Sequence, residues 1–394
     1  MYIRNTYHTI IERMREPRRF LQVIMGPRQV GKSTTVLQAL KDLGMPYMYE
    51  VADNVPASEG QWIAGRWGAA RRTLATGTEG ELILVFDEIQ KIYNWSEVVK
   101  KEWDSDTYNE INLKVILLGS SRVMFSKGLS ESLCGRFEEI RMGHWSFKEM
   151  HEAFGFTLEQ FIYFGGYPGA APLIKNESRW RGYINSAVVD VTINKDILVD
   201  SPVSKPALLR QTFELSAAYS GKILSLTKMI GSLKDAGNTV TLAGYLNLLN
   251  DSGLVTGLQK YSVDLARRRA SIPKHQVFNN ALLGIFSGTT FKQAVKDTRL
   301  WGHLFESAVG AYILNSAFIN RFEVCYWRDG DYEVDFVLKK YGQLVAIEVK
   351  SNDAAFSGGL GEFRKRFAPH DSFIVGRYGT PIEDFFQMDL NKLF

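Results

Sequence analysis

Apolar and polar positions along the chain change rhythm twice, and the changes divide it into three stretches. The first opens on MYIRNTYHTIIERMREPRR, charged throughout, with apolar residues at amphipathic-helix spacing. Short apolar runs then alternate with helical patterns. Phe20–Met25 (FLQVIM) reads as a strand, Lys32–Leu43 as a helix and Tyr47–Val51 as a short strand. Ser58 offers an N-cap for a helix that would bury Trp62, Ile63, Trp67, Ala70 and Leu74. Leu82–Phe86 (LILVF) and Lys114–Leu118 (KVILL) are continuous apolar runs, as expected of central parallel strands covered on both faces. Such alternation predicts an α/β layered fold with a parallel sheet.

From about Ser146 the pattern turns helical: Ser146–Phe154, Thr157–Phe164 and a longer helix around Trp180–Asp196, with Gly165-Gly166-Tyr167-Pro168-Gly169 breaking the run. Residues 207–263 read as three helices and a strand. The last stretch returns to α/β, with a helix near Arg299–Phe318, paired strands near Val324–Val349, a helix at Gly358–Phe367 and a strand at Ser372–Val375. The expected domains are 1–145, 146–290 and 291–394, in line with roughly 100–200 residues per domain for a chain of 394.

Composition narrows the class of protein. With 45% hydrophobic and 23% charged residues the chain is not disordered as a whole, and it is long enough to bury a core without metal or disulfide staples. The net charge is +4, and by stretch it is +1, +4 and −1, so the positive excess sits in the middle. A polyanionic partner would need a local patch. Cys134 and Cys325 fit neither a disulfide framework nor a CxxC metal site, and no apolar segment approaches the roughly 20 residues that span a bilayer. These features predict a soluble protein of the reducing cytoplasm, with no membrane partner.

Gly26-Pro27-Arg28-Gln29-Val30-Gly31-Lys32-Ser33 fits GxxxxGK[ST] between a predicted strand and helix. Glycines let backbone N–H groups curl around phosphates, and the helix N-terminus adds partial positive charge. Lys32 would reach the β- and γ-phosphates of ATP, Ser33 would ligate Mg²⁺, and Thr34 follows in the helix. The partner motif is LILVFDEIQ, a buried strand ending in two carboxylates. Asp87 suits the surroundings of Mg²⁺ and Glu88 suits the base that polarises water. A glutamate directly after the Walker B aspartate points to ATPases rather than GTPases.

GPRQVGKST, VFDEIQ, LLGSSR, the GRF segment and FGGYPGAA together resemble bacterial and archaeal AAA-type ATPases fused to a C-terminal domain of unknown function. The resemblance runs through essentially the whole chain. Ser33-Thr34 stands where many relatives have two threonines, and either hydroxyl can bind Mg²⁺. His144-Trp145-Ser146-Phe147 stands where the family often has a proline before Ser-Phe. The resemblance implies that Ser120, or Ser121 beside it, senses the γ-phosphate from the end of the strand Val115–Leu118. It also implies that Arg136, in SLCGRF, is an arginine finger acting on this subunit or on a neighbour, which would require a homo-oligomer. A surface ion pair is the plainer role for Arg136.

Leu226–Ala236, Gly237-Asn238, Thr241–Ser252 and the strand after Gly253 follow the order of a winged helix. The helix in the recognition position, TLAGYLNLLNDS, has no Lys or Arg. Arg267-Arg268-Arg269 lies beyond the strand, either as a clamp on a nucleic-acid backbone or as a solvated loop. A winged helix that packs on a protein partner is equally open.

Tyr332–Leu338 alternates polar and apolar residues, Lys339–Gln343 reads as a turn, and Leu344–Lys350 (LVAIEVK) as a second strand. Period-two geometry puts Glu348 and Lys350 on one face, with Asp335 opposite across a hairpin. Asp335, twelve intervening residues and Glu348-Val349-Lys350 resemble the D…ExK arrangement of PD-(D/E)XK nucleases. In that superfamily a helix such as GHLFESAVGAYI supplies a further metal-site glutamate, here Glu306. Asp335 and Glu348 would hold Mg²⁺ and Lys350 would orient water. The expectation is an ATP- and Mg²⁺-dependent AAA-type ATPase that couples nucleotide state to engagement or cleavage of DNA or another nucleic acid. The alternative is a nucleotide switch with an inactive nuclease-like domain that binds a protein.

Overall fold

In residues Met1–Met142 five strands form a parallel sheet in the order β2-β3-β4-β1-β5. The computed structural model describes all residues except 1, 79, 120–128, 130–131, 199–200, 202, 235–236, 265, 267, 269–270 and 352–357. The strands are β1 (Leu21–Met25), β2 (Tyr47–Val51), β3 (Leu82–Asp87), β4 (Leu113–Gly119) and β5 (Phe137–Arg141). Helices α1 (Asn5–Arg15), α2 (Lys32–Leu43), α3 (Gly60–Thr76) and α4 (Trp95–Tyr108) cover it.

The apolar runs are buried along their whole length because both faces are covered. Ile24, Ile83, Val85, Ile116 and Leu118 pack with Ile10, Met14, Val36 and Leu40 of α1 and α2. The intervening positions Val23, Leu84, Phe86, Val115 and Leu117 pack with Ile63, Trp67, Val99 and Trp103 of α3 and α4. Period-two alternation therefore feeds two different cores. Arg71 clamps α3 to α4 through Glu102 and Asp106, each at 2.6 Å, and the Trp67 indole donates to Asp106 at 2.6 Å. The helix expected to start from a Ser58 cap begins at Gly60 instead, with Glu59 at the N-cap.

Gly143–Phe394 form the second compact unit. It begins with α5 (Phe147–Phe154) and α6 (Leu158–Phe164), each opened by a reciprocal capping box, Ser146 with Glu149 and Thr157 with Gln160. Helix α7 (Glu177–Tyr183) continues into wider π-type turns over Ile184–Asp190 and Thr192–Ile197, the region expected as one helix. Then come α8 (Pro206–Ala218), α9 (Leu226–Ser232), α10 (Thr239–Asp251), β6 (Val255–Lys260) and β7 (Lys274–Val277), with an antiparallel bridge from Ile223 to Lys274. The chain continues through α11 (Ala281–Gly284), α12 (Phe291–Lys296), α13 (Thr298–Asn320), β8 (Glu323–Asp329), β9 (Tyr332–Lys340), β10 (Gln343–Lys350), α14 (Gly358–Phe367), β11 (Asp371–Gly376) and α15 (Ile382–Phe385).

One mixed sheet, β11-β10-β9-β8-β6-β7, runs across the boundary expected near residue 290. A lone two-stranded hairpin is marginal in water. Here β6 gains cover by pairing in parallel with β8, Gln259 opposite Cys325 and Lys260 opposite Tyr326. One hydrophobic core consequently draws on both expected segments, from Phe147 to Leu390, a smaller cluster around Trp327, Val337 and Phe363 packs separately, and the segments 146–290 and 291–394 lie in a single unit. Among the described residues no helix is long and apolar enough to cross a membrane, and Cys134 and Cys325 are unbridged.

Trp180 is fully buried in this core, with ring centroids 5.0 Å from Phe164 and 5.9 Å from Tyr163. Trp180→Ala should cost about 3–5 kcal/mol in cavity and lost contacts. Urea unfolding followed by circular dichroism should show a lower midpoint, and an unchanged midpoint would contradict this packing.

Candidate functional site

Parallel strands carry the loops that follow them to one edge of the sheet. In register, Met25 of β1 lies opposite Gly119 of β4, and Leu118 of β4 lies opposite Asp87 of β3. The glycine-rich loop 26–33, the Asp87-Glu88 pair and the end of β4 therefore meet at a single edge. Gly26 has no room for a side chain, since a Cβ there would stand 2.1 Å from the Met142 carbonyl oxygen. Gly31 holds φ +87°, a left-handed conformation that favours glycine, and turns the loop into α2. Among the described residues no side chain caps that helix start, which leaves its first N–H groups directed at the loop.

Lys32 is buried, and its ammonium donates to the carbonyls of Gly26 and Pro27, both at 2.9 Å. The Val30 side chain is buried and its carbonyl accepts from Arg4 at 2.9 Å, which anchors the far side of the loop. Arg28 and Gln29 lie on the loop, Gln29 at φ +60°, and Thr34 is exposed one residue beyond Ser33. Ser33 Oγ donates to Asp87 Oδ2 at 2.6 Å. The same carboxylate oxygen accepts from the Tyr49 hydroxyl at 2.6 Å. Burial and the negative charge of Asp87 both push the Tyr49 phenol's pKa up, so it stays a donor. Glu88, at φ +56°, accepts from Gln90 Nε2 at 2.7 Å.

Ser33 and Asp87 thus present hard oxygen donors beside the buried cation Lys32, which suits Mg²⁺ carried on a nucleotide phosphate. Tyr49 was not foreseen from sequence. Its alternation in YMYEV reads only as a strand, and nothing in that pattern says which neighbour it faces. Ser120, with Ser121, lies outside the described residues. Arg136 lies at the opposite edge from the loop. Its carbonyl accepts from the N–H of Leu21, the first residue of β1, about 13 Å of strand away from Met25. Its guanidinium grips both Asp104 oxygens at 2.7 and 2.9 Å, and these hydrogen bonds raise its pKa.

In the second unit the hairpin β9–β10 pairs Phe336 with Ile347, so Asp335 and Glu348 are the next neighbours along it. The turn is tight, with Tyr341 and Gly342 both at positive φ, and the strands run further into it than the sequence predicts. Asp335 Oδ2 accepts from the Val349 N–H at 2.8 Å, and Lys350 Nζ pairs with Glu348 Oε1 at 2.6 Å. Burial raises the Glu348 pKa, with Lys350 opposing. Burial would lower that of Lys350, but Glu348 outweighs it and holds it high. Glu306 of α13 joins the same cluster.

At the centre stands a residue that sequence reasoning missed, Lys274 of β7. Its side chain is wholly buried, with Nζ 2.8 Å from Glu306 Oε1, 3.0 Å from Asp335 Oδ1 and 3.9 Å from Glu333 Oε1. Burial works against its charge, but Asp335 and Glu306 outweigh it and raise its pKa. The cluster does not fit the expected Mg²⁺ on Asp335 and Glu348. One Asp335 oxygen is taken by a backbone N–H and the other by an ammonium, and Glu348 is turned to Lys350. Among the described residues no group of three or more His, Cys, Asp or Glu is arranged to hold a metal ion.

Comparison with known proteins bears on the domains of the chain. Residues 18–151 match the family model of an AAA domain. Residues 155–293 and 301–383 match two domains of unknown function, DUF8612 and DUF4143. An uncharacterized protein of Haemophilus influenzae is 21% identical over 347 residues, covering 84% of this chain and 82% of the relative. Among solved structures, the Aeropyrum pernix ORC1 protein in complex with DNA aligns over 74% of this chain and 93% of its own, with TM-score 0.32 and 13% identity. AMPPCP-bound DnaA from Aquifex aeolicus aligns over 64% and 90%, with TM-score 0.34 and 16% identity. The first unit is an AAA-type P-loop domain, and the chain as a whole is an α/β protein with a helical middle region and an α/β end.

Burial pushes the Glu306 carboxyl from its ordinary 4.5 up to about 7, with Lys274 opposing and Asp335 adding to the rise. A raised folded-state pKa means that folding favours the protonated acid. The stability it contributes is full below about pH 4.5 and is lost as pH rises through about 7. Glu306→Gln should remove this slope. Denaturant unfolding of both proteins across that range should show wild type losing stability relative to the variant, and a pH-independent difference would refute the shift.

Proposed function

We propose that the chain is an ATP-binding and ATP-hydrolysing switch in which the nucleotide state of residues 1–142 governs how residues 143–394 engage a partner. The observation that carries this is the Ser33–Asp87 hydrogen bond beside Lys32, at the strand edge where loop 26–33 begins. Lys32 would hold the β- and γ-phosphates, and Ser33 and Asp87 would hold Mg²⁺. The metal, when bound with the nucleotide, would supply neutralising charge for phosphoryl transfer. Tyr49 fixes one Asp87 oxygen, and Gln90 orients Glu88 to accept a proton from the attacking water. Arg136, at the far edge of its own sheet and held by Asp104, suits a surface ion pair; as an arginine finger it would have to leave Asp104 and serve the nucleotide of a neighbouring subunit in a homo-oligomer.

For the partner, the order α8, the Ile223 bridge, α9, α10 and the β6–β7 hairpin supports a winged helix. The exposed positions Val240, Gly244 and Asn247 of α10 follow helical spacing and carry no charge, as the whole helix lacks Lys and Arg. Of the arginine run, Arg268 is engaged with Glu323 at 3.1 Å and Gln259 at 3.2 Å, while Arg267 and Arg269 lie outside the described residues. A neutral helix face suits a protein partner better than a phosphate backbone, whose affinity comes from cations. The nucleic-acid reading keeps one observation in its favour, the meeting of Asp335, Glu348 and Lys350 on adjacent strands.

Purified protein should hydrolyse ATP with Mg²⁺. Lys32→Ala should lose ATP binding in calorimetry. Glu88→Gln should still bind ATP but turn over at least about 10²-fold slower. Unchanged ATP affinity in Lys32→Ala would refute the site, and a steeply salt-dependent affinity for DNA or RNA would favour the nucleic-acid reading over the protein one.

A further inference from the structure

The D…ExK arrangement gathers negative charge so that a divalent ion can sit among the carboxylates. In this chain a buried ammonium already sits among them. We infer that Lys274 is the built-in cation of the C-terminal cluster, tethered by β7 between Glu306 and Asp335, and that this nuclease-like sheet binds no divalent metal there. The inference concerns the second unit alone and is independent of the ATP site.

Three features fix the ammonium in place. The Lys274 backbone is tied on both sides, paired with Leu258 of β6 and bridged to Ile223. Its neighbour Gln276 donates to the Ser307 carbonyl of α13 at 2.9 Å, and a Cβ on Gly310 would stand 2.2 Å from Gln276 Oε1. The hairpin therefore lies hard against the helix that carries Glu306. Finally, the Lys274 ammonium lies over the face of the Phe336 ring, 5.1 Å from its centroid, and no part of the side chain reaches water. An ammonium so held cannot swing aside as a solvated lysine would.

The bond lengths say what kind of site this is. Contacts of 2.8 and 3.0 Å are charge-assisted hydrogen bonds, whereas Mg²⁺ needs oxygens at about 2.0–2.1 Å in near-octahedral array. A divalent ion beside a buried ammonium would meet like-charge repulsion where screening is weak. Lys350 neutralises Glu348 in the same way, so two lysines replace the ion that the pattern suggests. Lys274 also has a structural consequence. It joins a strand of the middle region to the helix and strand of the C-terminal region through charge.

The test counts Mn²⁺ bound to the nucleotide-free full-length chain by electron paramagnetic resonance. It uses wild type, Asp335→Asn, Lys274→Met and the double variant Lys274→Met/Asp335→Asn. Wild type and Asp335→Asn should bind the same number of ions. Lys274→Met should gain one ion, with a rise in its thermal midpoint on adding Mn²⁺, and the double variant should lose both effects. A wild-type ion that disappears in Asp335→Asn overturns the inference, as does a folded Lys274→Met that gains none. Should Lys274→Met fail to fold, the comparison of wild type with Asp335→Asn decides by itself.

Discussion

A lysine ammonium withdrawn from water must be surrounded by opposite charge, and in the second unit that requirement is met at Lys274 by Glu306, Asp335 and the more distant Glu333. Burying the charge is costly, and removing Lys274 would leave the carboxylates around it uncompensated. The arrangement consequently dictates where three elements can lie. Strand β7 must bring its first residue to α13, β9 must present Asp335 to the same point, and α13 must have Gly310 where Gln276 presses in. The mixed sheet that extends from β11 to β7 is the backbone form of the same constraint. Residues 146–290 and 291–394 are joined by it into one unit.

The loop edge of the first unit handles charge differently. Its sheet order places β4 between β1 and β3, so three strand ends converge beside the loop. Asp87 is buried but meets hydroxyls, from Ser33 and Tyr49, rather than a cation. Hydroxyl partners leave the carboxylate negative and able to share a metal ion, whereas an ammonium partner cancels it. Asp87 and Asp335 thus differ in the nature of the groups already hydrogen-bonded to them, hydroxyls in one case and a backbone N–H with an ammonium in the other.

The glycine-rich loop and the DE pair were legible in the sequence because each is a contiguous run whose local backbone carries its chemistry. The central strands were legible for a related reason: a strand covered on both faces has no polar positions to spare. Asp335, Glu348 and Lys350 were also picked out, by spacing and period-two geometry, and they lie together on the hairpin, while Glu306, suggested by the resemblance, reaches the same cluster from α13. The residues that escaped notice, Tyr49 and Lys274, act on partners far away in sequence, 38 and 61 residues in the case of their aspartates. Lys274 opens a strand reading KHQV, whose polar letters suggest an exposed loop although all four residues are buried.

By itself, then, the sequence determined the α/β class, the nucleotide loop with its paired carboxylates, and the facing strands of the C-terminal hairpin, because local backbone geometry and side-chain periodicity act over a few residues. The tertiary structure alone decided three things. It made one unit of the two C-terminal stretches, set Arg136 against Asp104 at the sheet edge away from the loop, and placed an ammonium where a metal ion was expected. Each of these depends on which distant residues the fold brings side by side. Burial is a property of the assembled chain, since electrostatic attraction between distant residues gains its strength only when packing removes the water between them.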